Sequence, residues 1–293
     1  MDKDLESMAI LRIQGASDMA LKHYGTPLVV TYSGGKDSAV LLELFKRSGV
    51  PFEVQHSHTT ADAPETVRFV REQFHKLEGG GITCKVDYPT YQGKPISMWS
   101  LIPIQKMPPT RLARYCCKVL KEHGGDGRYI ATGVRWAESR NRENSRGIHE
   151  ALAKSRDRSI ILTNDNDEKR LLFESCVKNA KRVVNPIVDW EDKDIWDFIE
   201  SEHIDLNPLY SCGWSRVGCI GCPMAGTKGR RWQFTRYPKF EQNYIKAFER
   251  MLKVREQEGL PNNNWSNGKD VFHWWMEDGV LPGQIEMELD DVD

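Results

Sequence analysis

The sequence predicts an α/β fold in which a doubly wound, mostly parallel sheet is followed by a C-terminal helical extension. Three observations predict it. Short apolar runs such as Leu28-Val29-Val30-Thr31 and Tyr129-Ile130-Ala131-Thr132 alternate with helix-length amphipathic segments, the pattern of strand–helix–strand units. A Gly34-Gly35 turn joins the first of these strands to an amphipathic segment starting near Ala39. Beyond Cys222 the alternation stops, and Phe240, Tyr244, Phe248 and Met251 recur at the spacing of one helix face. The 293 residues divide into an α/β domain over 1–225 and a helical extension over 226–293.

In chain order, Leu5, Met8, Ala9, Ile13, Ala16 and Ala20 mark an amphipathic helix that Gly25-Thr26-Pro27 ends. The first strand and the glycine turn follow, then a helix to about Ser48 that Gly49 stops. Phe52 to His56 is a second strand. Pro64 suits the first turn of the next helix, and Glu65 behind it suits the positive end of the helix dipole. Ile82 to Val86 reads as a third strand, Asp87 to Pro109 as irregular, Thr110 to His123 as helix, and Tyr129 to Val134 as a fourth strand. Between Arg146 and Arg182 the pattern weakens, with Ser159 to Thr163 and Leu171 to Phe173 as strand pieces. Glu191 to about Glu202 is helical, and so is 238–258, whose aromatic stripe reads as a packing face. The acidic stretch after Gly283 reads as a frayed tail.

A formal charge of −1 gives no global field towards nucleic acid or membranes, although it is silent on a local basic patch. Lys228, Arg230 and Arg231 beside Trp232 form such a cluster, which reads first as a solvated helix start. A nucleic-acid acceptor therefore finds no support in net charge. No apolar run approaches the ~20 residues of a membrane span, and Met1 to Glu6 is too acidic for a secretory signal. A cytoplasmic location with no membrane partner is expected. Of the seven cysteines, Cys116-Cys117 are adjacent and Cys212, Cys219 and Cys222 cluster, which points to metal ligation rather than disulfides. Cys84 and Cys176 stand alone and read as core residues.

The strand–turn–helix at Ser33-Gly34-Gly35-Lys36-Asp37-Ser38 reads as an anion cradle. Glycines let the backbone approach a ligand, amides at the helix start point into the loop, and Lys36 adds a cation. The spacing matches neither the Walker loop nor GxGxxG. In a parallel sheet ligands sit at strand C-terminal ends, where both this loop and the run Arg135 to Arg142 fall. Arg135 and Arg142 could clamp an oxyanion bidentately; their plain alternative is a salt-bridge set with Glu138 and Glu143.

The loop resembles the SGGxDS loop of the adenine-nucleotide α-hydrolase, or PP-loop, superfamily. Within it the chain resembles the phosphoadenosine phosphosulfate reductase family over about Leu28 to Met224. The resemblance rests on five stretches in order: Ser33–Ser38, Thr59–Glu65, Cys116-Cys117, Gly133-Val134-Arg135 with Glu138, Ser139 and Arg142, and Pro186–Cys222. It implies an adenine nucleotide, ATP or adenylyl sulfate, held by Ser33, Gly34, Gly35, Lys36, Asp37, Ser38, Thr59, Gly133, Arg135 and Arg142. Lys36, Asp37 and Arg135 would be catalytic. Cys116, Cys117, Cys219 and Cys222 resemble the set that holds a 4Fe–4S cluster in adenylyl sulfate-specific reductases; a four-thiolate zinc site is the alternative. The string Ser211 to Cys219 resembles the cluster segment of DNA phosphorothioation sulfur-transfer enzymes, making Cys212 an alternative ligand to Cys116 or Cys117.

The family's reductases attack sulfur with a cysteine in a C-terminal Glu-Cys-Gly-type motif, and residues 223–293 here contain no cysteine. Adenylation by ATP with release of pyrophosphate, coupled to sulfur transfer, is therefore the leading expectation. It brings magnesium held partly by Asp37 and a sulfur donor such as a cysteine desulfurase. Reduction of adenylyl sulfate or its 3′-phosphorylated form to sulfite by a thiol reductant is the alternative. A non-catalytic nucleotide- or cluster-binding subunit is a third reading.

Overall fold

The computed structural model describes residues 3–121, 127–152, 159–165, 181–262 and 265–277. The chain folds as two compact units, one of Met1–His58, Ala63–Asp87 and His123–Gly218, the other of Thr59–Asp62, Tyr88–Glu122 and Cys219–Asp293.

The first unit holds a seven-stranded sheet in the order β3-β2-β1-β6-β9-β7-β8. These strands are β1 (Leu28–Thr31), β2 (Phe52–Ser57), β3 (Cys84–Asp87), β6 (Tyr129–Ala131), β7 (His149–Leu152), β8 (Ile160–Leu162) and β9 (Lys181–Val184). From β3 to β9 all neighbours are parallel; β7 runs antiparallel to both β9 and β8. The predicted sheet is present, with an antiparallel edge added. Helix α1 (Lys3–Tyr24) buries Ala9, Ile13, Ala16 and Ala20, the face its periodicity marks. Helix α2 (Lys36–Ser48) buries Val40, Leu41, Leu44 and Phe45, each contributing roughly 1.5–3 kcal/mol where fully buried. It ends at Gly49, whose φ of 72° is the left-handed cap a glycine adopts without strain. Helices α3 (Pro64–Gly79), α6 (Arg140–Ser145) and α7 (Asp192–Ser201) complete the elements that matter for the site.

Several boundaries differ from expectation. β3 starts at Cys84, two residues after Ile82, and β6 stops at Ala131 rather than Val134. Neither β7 nor β9 shows in the pattern, because both carry polar residues into the interior. His149 Nδ1 lies 2.8 Å from the Tyr129 hydroxyl, while Glu150 accepts from Arg146 Nε (2.8 Å) and Asn185 Nδ2 (2.7 Å). The expected strand piece Leu171–Phe173, Cys176 and His123 lie outside the described residues. Cys84 is half-buried against the core, and burial pushes its thiol up to about 11.

The second unit contains the β4–β5 hairpin (Thr90–Tyr91, Lys94–Pro95) and helices α4 (Met98–Gln105), α5 (Tyr115–Leu120), α8 (Gly226–Arg236), α9 (Pro238–Gln257) and α10 (Gly268–Met276). Helix α4 forms where the sequence reads as irregular, because a Ser97–Ser100 capping box starts it despite Pro103 inside. The helix expected over Thr110–His123 is confined to Tyr115–Leu120. As the sequence spacing implies, α9 buries Tyr244, Phe248 and Met251. Trp99 of α4 sits edge-on to Tyr244 at 4.9 Å between centroids and to Phe240 at 5.9 Å. The helical extension thus shares one aromatic core with residues more than a hundred positions earlier, rather than standing as a separate 226–293 piece.

Candidate functional site

In the first unit, the chain leaves β1 and enters α2 through a loop closed on itself. Ser38 Oγ accepts from the Ser33 amide (3.2 Å) and donates to the Gly35 carbonyl (2.8 Å). Gly35 occupies the N-cap of α2 with no side-chain cap, so the helix-start amides keep their anion-binding character. One of them, the Lys36 amide, donates to the Tyr210 hydroxyl at 2.9 Å. Gly34 has φ of 75°, and a Cβ there would meet Val70 Cγ2 at 3.1 Å and Thr66 Cγ2 at 3.3 Å. Gly133, just past β6, is needed for close approach: a Cβ would stand 3.0 Å from the Asp37 carbonyl oxygen.

Four charges converge beside the loop. Lys36 Nζ is 3.0 Å from Asp37 Oδ1 and 3.1 Å from Asp192 Oδ1. Arg135 Nε is 2.7 Å from the same Asp37 oxygen, and its Nη2 is 2.6 Å from Asp192 Oδ1. Arg135 Nη1 also donates to the Trp190 carbonyl at 3.0 Å, and the residue is 1% exposed. Its guanidinium therefore holds two carboxylates in place, a positioning role. Arg142 pairs with Glu138, the salt bridge that is its plain alternative, and Glu138 also accepts from the Arg135 amide.

Asp192 does not stand out in the sequence, where it reads only as an acid in the first turn of α7. Its carboxyl is held below the usual range, first by the hydrogen bond from Lys36 and then by that from Arg135. A depressed carboxylate contributes stability above its unfolded pKa and loses it as pH falls through the folded value. The stability difference between the parent and Asp192→Asn should therefore be present at neutral pH and vanish on acidification below about pH 4, read from denaturant midpoints. A difference independent of pH would refute the assignment. The side chain is 72% exposed, so solvent screening keeps the effect small.

In the second unit, Cys219-Ile220-Gly221-Cys222 forms a turn that three neighbours fix. The Ile220 amide donates to the Ala61 carbonyl (2.8 Å), the Gly221 amide to Gln233 Oε1 (2.8 Å), and Tyr244 Oη to the Ile220 carbonyl (2.9 Å). Cys219 is buried with Sγ 3.3 Å from Thr59 Oγ1. Thr59, read from the sequence as a nucleotide contact, thus belongs to the unit and the immediate surroundings of Cys219. Cys116 and Cys117 open α5, and Arg114 Nη2 lies 3.4 Å from Cys117 Sγ. The Cys117 thiol is pulled down by its hydrogen bond with Cys116 and then by Arg114, whereas burial pushes Cys219 up against the opposing pull of Lys121. Cys212 lies in the first unit, exposed at the end of the turn Tyr210–Cys212.

Cys116, Cys117, Cys219 and Cys222 are thus the four thiols of one unit, with Arg114 and Lys121 as flanking cations. That donor set fits a thiolate-held metal group whose negative charge needs compensation.

A mostly parallel sheet with an anion loop after its first strand, in a chain that also carries a Cys-x-x-Cys turn, defines a PP-loop α/β protein. The model of the phosphoadenosine phosphosulfate reductase domain matches residues 27–225, and the chain belongs to that family. It is 25% identical over 202 residues to the adenosine 5′-phosphosulfate reductase of Allochromatium vinosum, covering 69% of this chain and 70% of that one. It is 26% identical over 238 residues to the chloroplastic 5′-adenylylsulfate reductase 1 of Arabidopsis thaliana, covering 78% of this chain but 45% of that protein. Among solved structures it resembles the U34-tRNA thiolase NcsA of Methanococcus maripaludis with its 4Fe–4S cluster, at 14% identity and a TM-score of 0.40, over 97% and 86% of the two chains.

Proposed function

We propose that the chain is an ATP-pyrophosphatase that adenylates an acceptor oxygen and prepares it for sulfur transfer. One observation carries the reading: two carboxylates, Asp37 and Asp192, stand beside the anion loop and share Lys36 between them. Two negative groups oppose a bare sulfate end. They would suit a polyphosphate that arrives with magnesium, which Asp37 and Asp192 would help to hold. Lys36 would turn to the departing pyrophosphate, the helix-start amides of α2 would hold its oxygens, and Arg135 would keep Asp37 and Asp192 aimed. The acceptor oxygen attacks the α-phosphorus, the α–β bridging bond breaks, and magnesium pyrophosphate leaves. A donor sulfur at the sulfide level then displaces AMP at the activated carbon.

Cys116, Cys117, Cys219 and Cys222 would hold a 4Fe–4S cluster; ligated by three of them, it would offer its fourth iron as a soft site for sulfur. Arg114 and Lys121 balance its charge, and Tyr244 and Gln233 hold the Cys219–Cys222 turn. The second reading, reduction of adenylyl sulfate to sulfite, is favoured by the similarity to adenylyl sulfate reductases and by the depressed Cys117 thiol.

The deciding experiment incubates the metal-loaded chain with α-labelled ATP and magnesium, where water takes the place of the acceptor oxygen, and separately with adenylyl sulfate and a dithiol. AMP and pyrophosphate from the first mixture, with no sulfite from the second, is the expected result. Sulfite release without AMP formation from ATP would reverse the order of the two readings.

A further inference from the structure

We infer that the second unit carries a nucleic-acid-binding surface beside its cysteines, so that the acceptor of the proposed reaction is part of a polynucleotide. This rests on the adenylation reading for its chemistry, but the surface is argued independently. In a chain of net charge −1, residues 109–121 hold Arg111, Arg114, Lys118 and Lys121, and residues 219–236 hold Lys228, Arg230, Arg231 and Arg236. Neither stretch contains an aspartate or a glutamate.

The fold joins the two stretches. Arg111 Nε lies 3.3 Å from the Pro223 carbonyl, and its Nη2 would be 3.9 Å from a Cβ on Gly226. Trp275 donates to the Pro109 carbonyl (2.6 Å), while its own carbonyl accepts from Arg230 (2.7 Å). Arg230 is interior, whereas Lys121 and Arg236 are exposed, and so are Arg111, Arg114, Lys118, Lys228 and Arg231. No carboxylate among the described residues forms an ion pair with these last five. Arg114 and Lys118 share one face of α5 at i,i+4, and Lys228, Arg231 and Trp232 share one face of α8.

Exposed apolar groups lie among the cations: Leu112 is 85% exposed, Met224 43% and Trp232 42%. Cations that neutralise phosphates, with an aromatic face for an unstacked base, make the footprint of a single-stranded or looped nucleic acid. Three of the five are arginines, whose forked donors match phosphate oxygens. An anionic membrane would call for a wider apolar face than these three separated side chains supply.

The test measures anisotropy of a fluorescein-labelled RNA stem-loop, a single-stranded DNA and a duplex DNA with the metal-loaded full chain from 50 to 200 mM salt. Saturable binding to the RNA or the single strand is expected, with a log–log salt slope of about −3 to −4. Lys118→Ala/Lys228→Ala/Arg231→Ala, which changes none of the cysteines or loop residues, should weaken it at least about tenfold and reduce the slope by about two. Trp232→Ala should weaken it roughly fivefold or more without changing the slope. Binding to phosphatidylserine vesicles but to no nucleic acid, or nucleic-acid binding unaffected by the triple variant, would overturn the inference. Hydrolysis of ATP to AMP and pyrophosphate in the absence of polynucleotide, with water in place of the acceptor oxygen, should be equal in the triple variant and the parent. Loss of adenylation chemistry and loss of this surface are thereby read separately.

Discussion

Lys36→Ala is expected to lower kcat/KM for AMP formation from magnesium ATP by about 10²–10³-fold while leaving the fold intact. Lys36 contributes one of only two positive side chains in the group of four at the loop, and Arg135, the other, is enclosed and committed to Asp37, Asp192 and the Trp190 carbonyl. Without the ammonium, the two carboxylates are left against one guanidinium, and the developing charge on pyrophosphate meets net negative potential. Losing one preorganised donor to such a charge costs ~3–4 kcal/mol, which is the stated range in rate. How the loss divides between kcat and KM tells when Lys36 acts. An equal fall in kcat and kcat/KM places its contact in the transition state, whereas a raised KM alone places it in ground-state binding. The α2 backbone should not feel the change, because Gly35, Ser38 and Tyr210 close the turn through other atoms. A variant with parental circular dichroism and undiminished AMP formation would remove Lys36 from the mechanism and the ATP reading with it.

What the sequence discloses about this site follows chain proximity. The anion loop is legible because its parts are covalent neighbours: a β-branched run, two glycines, a lysine and a helix start all fall within Leu28 to Leu44. The Cys219–Cys222 turn is legible for the same reason. Asp192 and Tyr210 are not, since each reaches the loop from more than 150 positions away, and locally one is a helix-start acid and the other a turn aromatic. Arg135 is legible as a site residue, but its burial is not, because a polar run gives no sign that a guanidinium will be enclosed by two aspartates. Thr59, which the family resemblance implies as a nucleotide contact, shows a neighbourhood the sequence does not disclose: the bridge between Asp62 and Cys219 draws its segment to the cysteine turn. In the sheet, Lys181-Arg182-Val183-Val184 hides an interior strand behind two cations, and in the second unit Pro103 hides a helix.

Gly221→Ala should strongly disrupt the cysteine turn of the second unit, costing about 2–4 kcal/mol and most of the bound metal. Gly221 has φ of 73°, where an alanine carries a backbone penalty of roughly 1 kcal/mol. The new Cβ would also stand 2.6 Å from Phe234 Cζ, 2.9 Å from Tyr244 Cε2 and 3.1 Å from Trp275 Cη2. Those three rings pack on one another, with Tyr244 and Trp275 centroids 4.7 Å apart, so none can retreat without moving the rest. Overpacking of this kind adds about 1–3 kcal/mol. Relief by moving the turn instead would break the Gln233 and Tyr244 hydrogen bonds that set Cys219 and Cys222. Anaerobically purified parent protein should contain about four irons and four acid-labile sulfides per chain. The variant should unfold at a lower denaturant concentration and retain a small fraction of that iron. Gln233→Ala separates the two contributions: it removes the acceptor for the Gly221 amide without adding volume, and should cost about 1–3 kcal/mol for a buried donor left unpaired. A Gly221→Ala protein with parental stability and parental iron would show that this turn neither packs nor holds metal as described.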